Sequence, residues 1–126
     1  MSQLMKIFRI DELPESKAPD GSGSWRTLGK DAGAKNCNLL VISVKPGAKP
    51  KPDLHYHPKR EEIFLVIQGK AKAKIDGKEV VLEPGMAVLA PAGEKHYMRL
   101  LATPIGKTTF KMIEAGAPME GETVHL

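Results

Sequence analysis

An all-β fold, a barrel or sandwich of short antiparallel strands, is what this sequence of 126 residues predicts. Three observations carry that expectation. Seven to ten short apolar runs succeed one another at regular spacing, the pattern of a closed or double-layered β-structure. No stretch keeps a 3.6-residue apolar period long enough for a helix of real length. Turn formers are dense, with 12 Gly and 10 Pro, which favours short strands joined by tight breaks. The length suits one domain.

Along the chain, residues 5–10 offer a first short strand, and residues 11–24 (DELPESKAPDGSGS) form a polar loop without internal period. Residues 25–29 suggest a strand, and residues 37–45 (CNLLVISVK) a stronger one. The segment 45–58 carries Pro46, Pro50, Pro52 and Pro58, so it suits neither a central strand nor a helix interior. Further strands are expected over 62–68, 70–75, 78–82, 86–90, 96–101 and 107–113. Asp76-Gly77 is a hairpin signature, and Glu83-Pro84-Gly85 and Pro91-Ala92-Gly93 are tight breaks. The whole chain, 1–126, reads as one domain: a core barrel over about 37–113, N-terminal strands and loop over 1–36, and a C-terminal tail over 114–126.

Composition excludes several classes. A single cysteine, Cys37, rules out an intrachain disulfide framework. No apolar run reaches the length of a membrane-spanning helix, and the first residues lack the form of a signal peptide, so a cytoplasmic location is expected. The net charge of +4 comes from 15 Lys and four Arg against 15 acidic residues. Lys70, Lys72 and Lys74 alternate with Ala71 and Ala73, which describes a solvated strand face rather than a nucleic-acid stripe. Both faces of the 62–68 strand are apolar: Phe64 and Val66 share one face with Glu62, and Ile63, Leu65 and Ile67 fill the other. The outer face therefore needs a cover. A homodimer is the expected one, and an N-terminal segment folded across it, Trp25 included, is the alternative.

Four residues stand out for chemistry. His55 and His57 are two apart, which on an extended strand sets both imidazoles on one side. Glu62 opens the next strand on an apolar face, where an uncompensated carboxylate is costly. His96 follows the Pro91-Ala92-Gly93 break. Three imidazoles and a carboxylate suit a divalent transition metal such as Mn, Fe, Co, Ni, Cu or Zn. His125, next to the C-terminal residue, reads as a surface histidine, and Glu61 as a solvated charge facing away from Glu62.

The spacing of these residues resembles the cupin family. His55-x-His57, four residues, Glu62, six residues, Gly69 is similar to the first cupin motif, and Gly85, five residues, Pro91-x-Gly93, two residues, His96 is similar to the second. Fifteen residues separate the motifs. The chain departs from the pattern at Lys49, where a glycine is usual, and at Leu100, where an asparagine is usual. The resemblance implies a single double-stranded β-helix barrel, with His55, His57, Glu62 and His96 as ligands of one divalent transition metal ion (Mn, Fe, Ni, Cu or Zn). Parity from these residues makes Phe64, Gln68, Met98, Leu100 and Phe110 pocket candidates, Gln68 deep among them; from the last strand either Phe110 and Met112 or Lys111 and Ile113 face inward. Asp20 and Glu15 are candidate lid groups. The implied function is a metal-dependent enzyme acting on a small oxygenated metabolite, such as a sugar derivative, an organic acid or an enol, by isomerase, lyase or dioxygenase chemistry. The alternative is a non-catalytic module that binds or senses a small molecule or metal.

Overall fold

The structure, a computed structural model, describes residues 5–49, 55–56, 58–75, 78–92, 101–119 and 124–125, with the backbone alone at 55, 56, 75, 101, 124 and 125. Eleven strands and one short helix are formed among them. They are β1 (Ser16–Lys17), β2 (Gly23–Thr27), α1 (Leu28–Ala32), β3 (Asn38–Val44), β4 (His55–Tyr56), β5 (Glu61–Gln68), β6 (Lys70–Ile75), β7 (Lys78–Leu82), β8 (Ala87–Ala90), β9 (Leu101–Ile105), β10 (Phe110–Ala117) and β11 (Val124–His125). A six-stranded sheet runs β1-β2-β3-β10-β5-β8, a three-stranded sheet runs β7-β6-β9, and β4 pairs with β11. Every pairing is antiparallel. The all-β architecture expected from the sequence is the one observed.

The core lies between the two larger sheets. Val44, Val66, Phe110 and Met112 come from the six-stranded sheet and meet Ala71, Ala73, Leu82 and Ala102 of the other. Alternation selects these residues. On β6 the two alanines are buried while Lys70, Lys72 and Lys74 stay in water, and small side chains there leave room for Phe110, which is fully buried. Phe110 and Met112 both face inward, which settles the parity of the last strand. Among the described residues β9 is an edge of its sheet, which suits Pro104.

Three expected elements differ. Residues 5–10 do not form a strand; they run extended and exposed into a 3-10 turn at Ile10–Glu12, since alternation without a neighbouring strand has no ladder to join. The strand expected over 25–29 starts and ends earlier, as β2, and its end becomes the single turn α1, closed by Gly33 in the left-handed conformation. The last long strand begins later than expected, after a turn through Gly106 at φ 82°, and pairing with both β3 and β5 carries it to Ala117 rather than to Ile113. Most of the strand expected over 96–101, and the Asp76-Gly77 turn, lie outside the described residues.

Gly69 joins the two sheets. It follows β5 of one and precedes β6 of the other, at φ 75°, and a Cβ there would stand 2.8 Å from the Thr109 carbonyl oxygen. Any side chain meets both backbone strain and a backbone clash. Gly69→Ala is expected to destabilise the fold by about 1–3 kcal/mol, read as a drop in thermal midpoint of several degrees; an unchanged midpoint would mean that this corner is not constrained.

Candidate metal centre

Glu62 is the buried charged side chain of the described core, with 6% of its surface exposed. Its position follows from register. On β5 it lies opposite Ala90 of β8 and Gly116 of β10, so its inward side chain sits between two of the smallest residues. Gly116 leaves it room. A Cβ there would approach Glu62 Cγ at 3.3 Å and Arg60 Cδ at 3.2 Å, tighter than an ordinary van der Waals contact.

Two residues before Gly116, on the same face of β10, stands Glu114. It lies opposite Phe64, and its side chain is hydrogen-bonded to that of Glu62. Burial pushes the Glu114 carboxyl up to about 9; the hydrogen bond with Glu62 and the charge of Glu62 push the same way, while Arg60 pulls it down. At neutral pH Glu114 is therefore a neutral acid donating its O–H to the Glu62 carboxylate. Arg60 is held in turn by the chain that leaves β10. Its Nε donates to Pro118 O at 3.1 Å and its Nη2 to Met119 O at 2.8 Å.

The sequence-expected site residues divide as follows. Glu62 faces inward and is buried, and Glu61 is exposed. His55 begins β4, where its register partner is His125 of β11, so the histidine read as a surface residue lies beside an expected ligand. His57, His96, Met98 and Leu100 lie outside the described residues. Phe64 is half-buried against the core cluster and is the register partner of Glu114, whereas Phe110 belongs to the core itself. Gln68 is not a deep polar group. It is exposed at the far end of β5, where the register shifts between Lys111 and Met112, and its Nε2 donates to Thr109 O at 3.1 Å. Of the lid candidates, Glu15 is ion-paired with Arg26 at 3.1 Å, and Asp20 accepts the Ser22 amide at 2.9 Å.

Glu114 is the group that sequence reading missed. Ending the strand at Ile113 put it in the tail, although parity continued from Met112 sets it inward. A divalent cation suits this end of the barrel, because two carboxyl groups meet there in a water-poor setting and form an oxygen-rich donor set. Among the described residues no group of three or more His, Cys, Asp or Glu comes together; of the four expected ligands the side chain of Glu62 alone is described, His55 being described by its backbone and His57 and His96 lying outside. A surface depression of about 410 Å³ between the turns at Asp20–Ser22 and Lys45–Lys49 lies at the opposite end of β3 and holds no histidine.

A family profile described as the cupin domain matches residues 40–104. The chain belongs to the cupin family, and its barrel is the double-stranded β-helix of that family. It is 31% identical over 107 residues to quercetin 2,3-dioxygenase of Bacillus subtilis, a match covering 75% of this chain and 32% of that protein. It is 37% identical over 73 residues to mannose-1-phosphate guanylyltransferase of Salmonella montevideo, covering 58% of this chain and 14% of that one. The chain thus spans a third or less of the curated relatives it matches. In structure it is similar to a cupin-superfamily sugar phosphate isomerase from Silicibacter pomeroyi, with a TM-score of 0.76, 20% identity, and coverage of 96% of this chain and 82% of that one. At that identity the likeness shows the fold. No helix among the described residues is long and apolar enough to cross a membrane.

The raised pKa of Glu114 has a consequence for stability. In the unfolded chain this carboxyl loses its proton near pH 4.5, whereas in the folded chain it keeps it to about 9. Between these values the folded state binds the extra proton, so metal-free protein loses stability as pH rises, with a limiting slope of about 1.4 kcal/mol per pH unit. Glu114→Gln keeps a donor toward Glu62 and does not titrate. Its thermal midpoint is expected to rise relative to wild type progressively from pH 5 to pH 9; a constant difference across that range would contradict the assignment.

Proposed function

We propose that this chain is a metal-dependent enzyme acting in the cytoplasm on a small oxygenated metabolite, a sugar derivative, an organic acid or an enol. His55, His57, Glu62 and His96 would hold one divalent transition metal ion per chain: Mn, Fe, Ni, Cu or Zn. The observation that carries the reading is the Glu62–Glu114 pair. It puts a carboxylate suited to ligation beside a neutral acid suited to moving a proton. The names of two relatives, a dioxygenase of a polyphenol and an isomerase of sugar phosphates, support chemistry on oxygenated carbon skeletons.

When bound, the ion supplies Lewis acidity that polarises a carbonyl or steadies an enolate. The rest is done by the chain. Glu62 fixes the negative end of the ligand set. Glu114 would hold a proton at its carboxyl oxygen, able to give it to a substrate oxygen and to take it back from the product. Arg60 tempers that proton's affinity by its positive charge.

The test is turnover by chelator-treated and metal-reconstituted protein against a panel of aldose and ketose phosphates, enolisable 2-oxo acids and flavonols with dioxygen. We expect conversion of at least one class that depends on the metal and falls at least ~100-fold in Glu114→Gln at unchanged metal content. Stoichiometric metal binding without conversion across the panel would overturn the enzymatic reading in favour of a binding or sensing module.

A further inference from the structure

Two rows of register partners cross the inner face of the six-stranded sheet. One runs Trp25, Ile42, Met112 and Val66 over β2, β3, β10 and β5. The next runs Thr27, Leu40, Glu114 and Phe64 over the same strands and ends at Val88 on β8. Register partners share a face, and the buried Met112 and Val66 fix this one as inward. Trp25 therefore lines the interior and does not cover the outer face of β5. Trp25, Thr27, Leu40, Phe64 and Val88 are half-buried although they face inward. This part of the interior thus keeps apolar surface in water, which a bound ligand would dry.

Chemistry and spacing limit what that ligand can be. Trp25 stands two strands from β10, which sets it roughly 10 Å across the sheet from the row end occupied by Glu114. A six-membered ring joined to a three-carbon acid spans such a gap. The indole offers a flat face on which an aromatic ring stacks. Besides the indole N–H, the side-chain polar groups of the two rows are Thr27 and Glu114, and the other members are apolar. A sugar phosphate carries a hydroxyl on nearly every carbon, and most of these would lose their water without gaining a partner from the two rows. An aromatic ring loses nothing there.

We infer that Trp25 is the ring-binding residue of the site and that its ligand is an enolisable carbonyl compound bearing an aromatic ring, with the oxygenated carbons at Glu62 and Glu114 and the ring on the indole. The inference rests on the reading of this barrel end as the substrate site. It narrows that reading from sugar derivatives, organic acids and enols to enols that carry an aryl group.

Binding rather than turnover tests it. The metal-reconstituted full chain is titrated by calorimetry with phenylpyruvate, with pyruvate, which lacks the ring, and with fructose 6-phosphate. Phenylpyruvate is expected to bind at least about tenfold more tightly than either. It should also change the fluorescence lifetime of Trp25, the single tryptophan of the chain, which pyruvate should leave alone. Trp25→Ala should bring phenylpyruvate down to the affinity of pyruvate, and Trp25→Phe should keep most of the preference, with circular dichroism confirming that each variant folds. A ring preference that survives in folded Trp25→Ala overturns the inference. So does tighter binding of the sugar phosphate, or no saturable binding of phenylpyruvate up to about 10 mM. If Trp25→Ala does not fold, an unchanged lifetime in wild type saturated with phenylpyruvate overturns it instead. Turnover of another substrate class by protein that ignores phenylpyruvate would sink this inference and leave the enzymatic reading standing. Ring-selective binding lost in Trp25→Ala, without turnover of any class, would do the reverse.

Discussion

A carboxylate turned into a β-barrel loses most of its hydration, and the fold has to give it something in return. Here Glu62 is met by a second carboxyl that has kept its proton. That arrangement involves its surroundings: Glu114 shares a face with Glu62, Gly116 leaves the Glu62 and Arg60 side chains room that a Cβ would tighten, and the charge of Arg60 moderates the proton affinity of Glu114. Each of these parts is supplied by β10 or by the residues flanking β5. The polar end of the barrel is thus organised by one strand pair, while the opposite end closes on Phe110 and Val66.

The two faces of β5 carry separate tasks. Inward, Glu62, Phe64 and Val66 grade from the carboxyl pair to the dry core. Outward, Ile63, Leu65 and Ile67 form a surface that the chain's own N-terminal segment leaves open. The same alternation that buries one set presents the other, so a one-residue slip of β5 would lose both site and surface together. Gly69 guards against that slip by turning the chain into the second sheet at a fixed point.

Much of this was legible in the sequence because it rests on period and punctuation. The strands over 37–45, 62–68, 70–75, 78–82 and 86–90 are short apolar or alternating runs bounded by Gly or Pro, and the structure forms them within a residue or so. The buried, inward Glu62 was legible for the same reason. Residues 5–10 misled because alternation says nothing about whether a neighbouring strand exists. Gln68 misled because parity was extended past a register shift that only the pairing reveals. Glu114 escaped because its neighbours Ala115 and Gly116 look like the end of a strand, when in the fold pairing on both sides carries the strand to Ala117.

The central claim is that Glu62, with its neighbouring acid, is one wall of a metal centre completed by His55, His57 and His96. Its most direct test is a titration of chelator-treated protein with Mn²⁺ and Zn²⁺ by isothermal calorimetry, on wild type, Glu62→Gln and the triple variant His55→Ala/His57→Ala/His96→Ala. The account predicts one ion per wild-type chain, at least a tenfold loss of affinity in Glu62→Gln, and no specific binding in the triple variant. Wild-type protein that takes up neither ion, or a triple variant that binds as tightly as wild type, would contradict it.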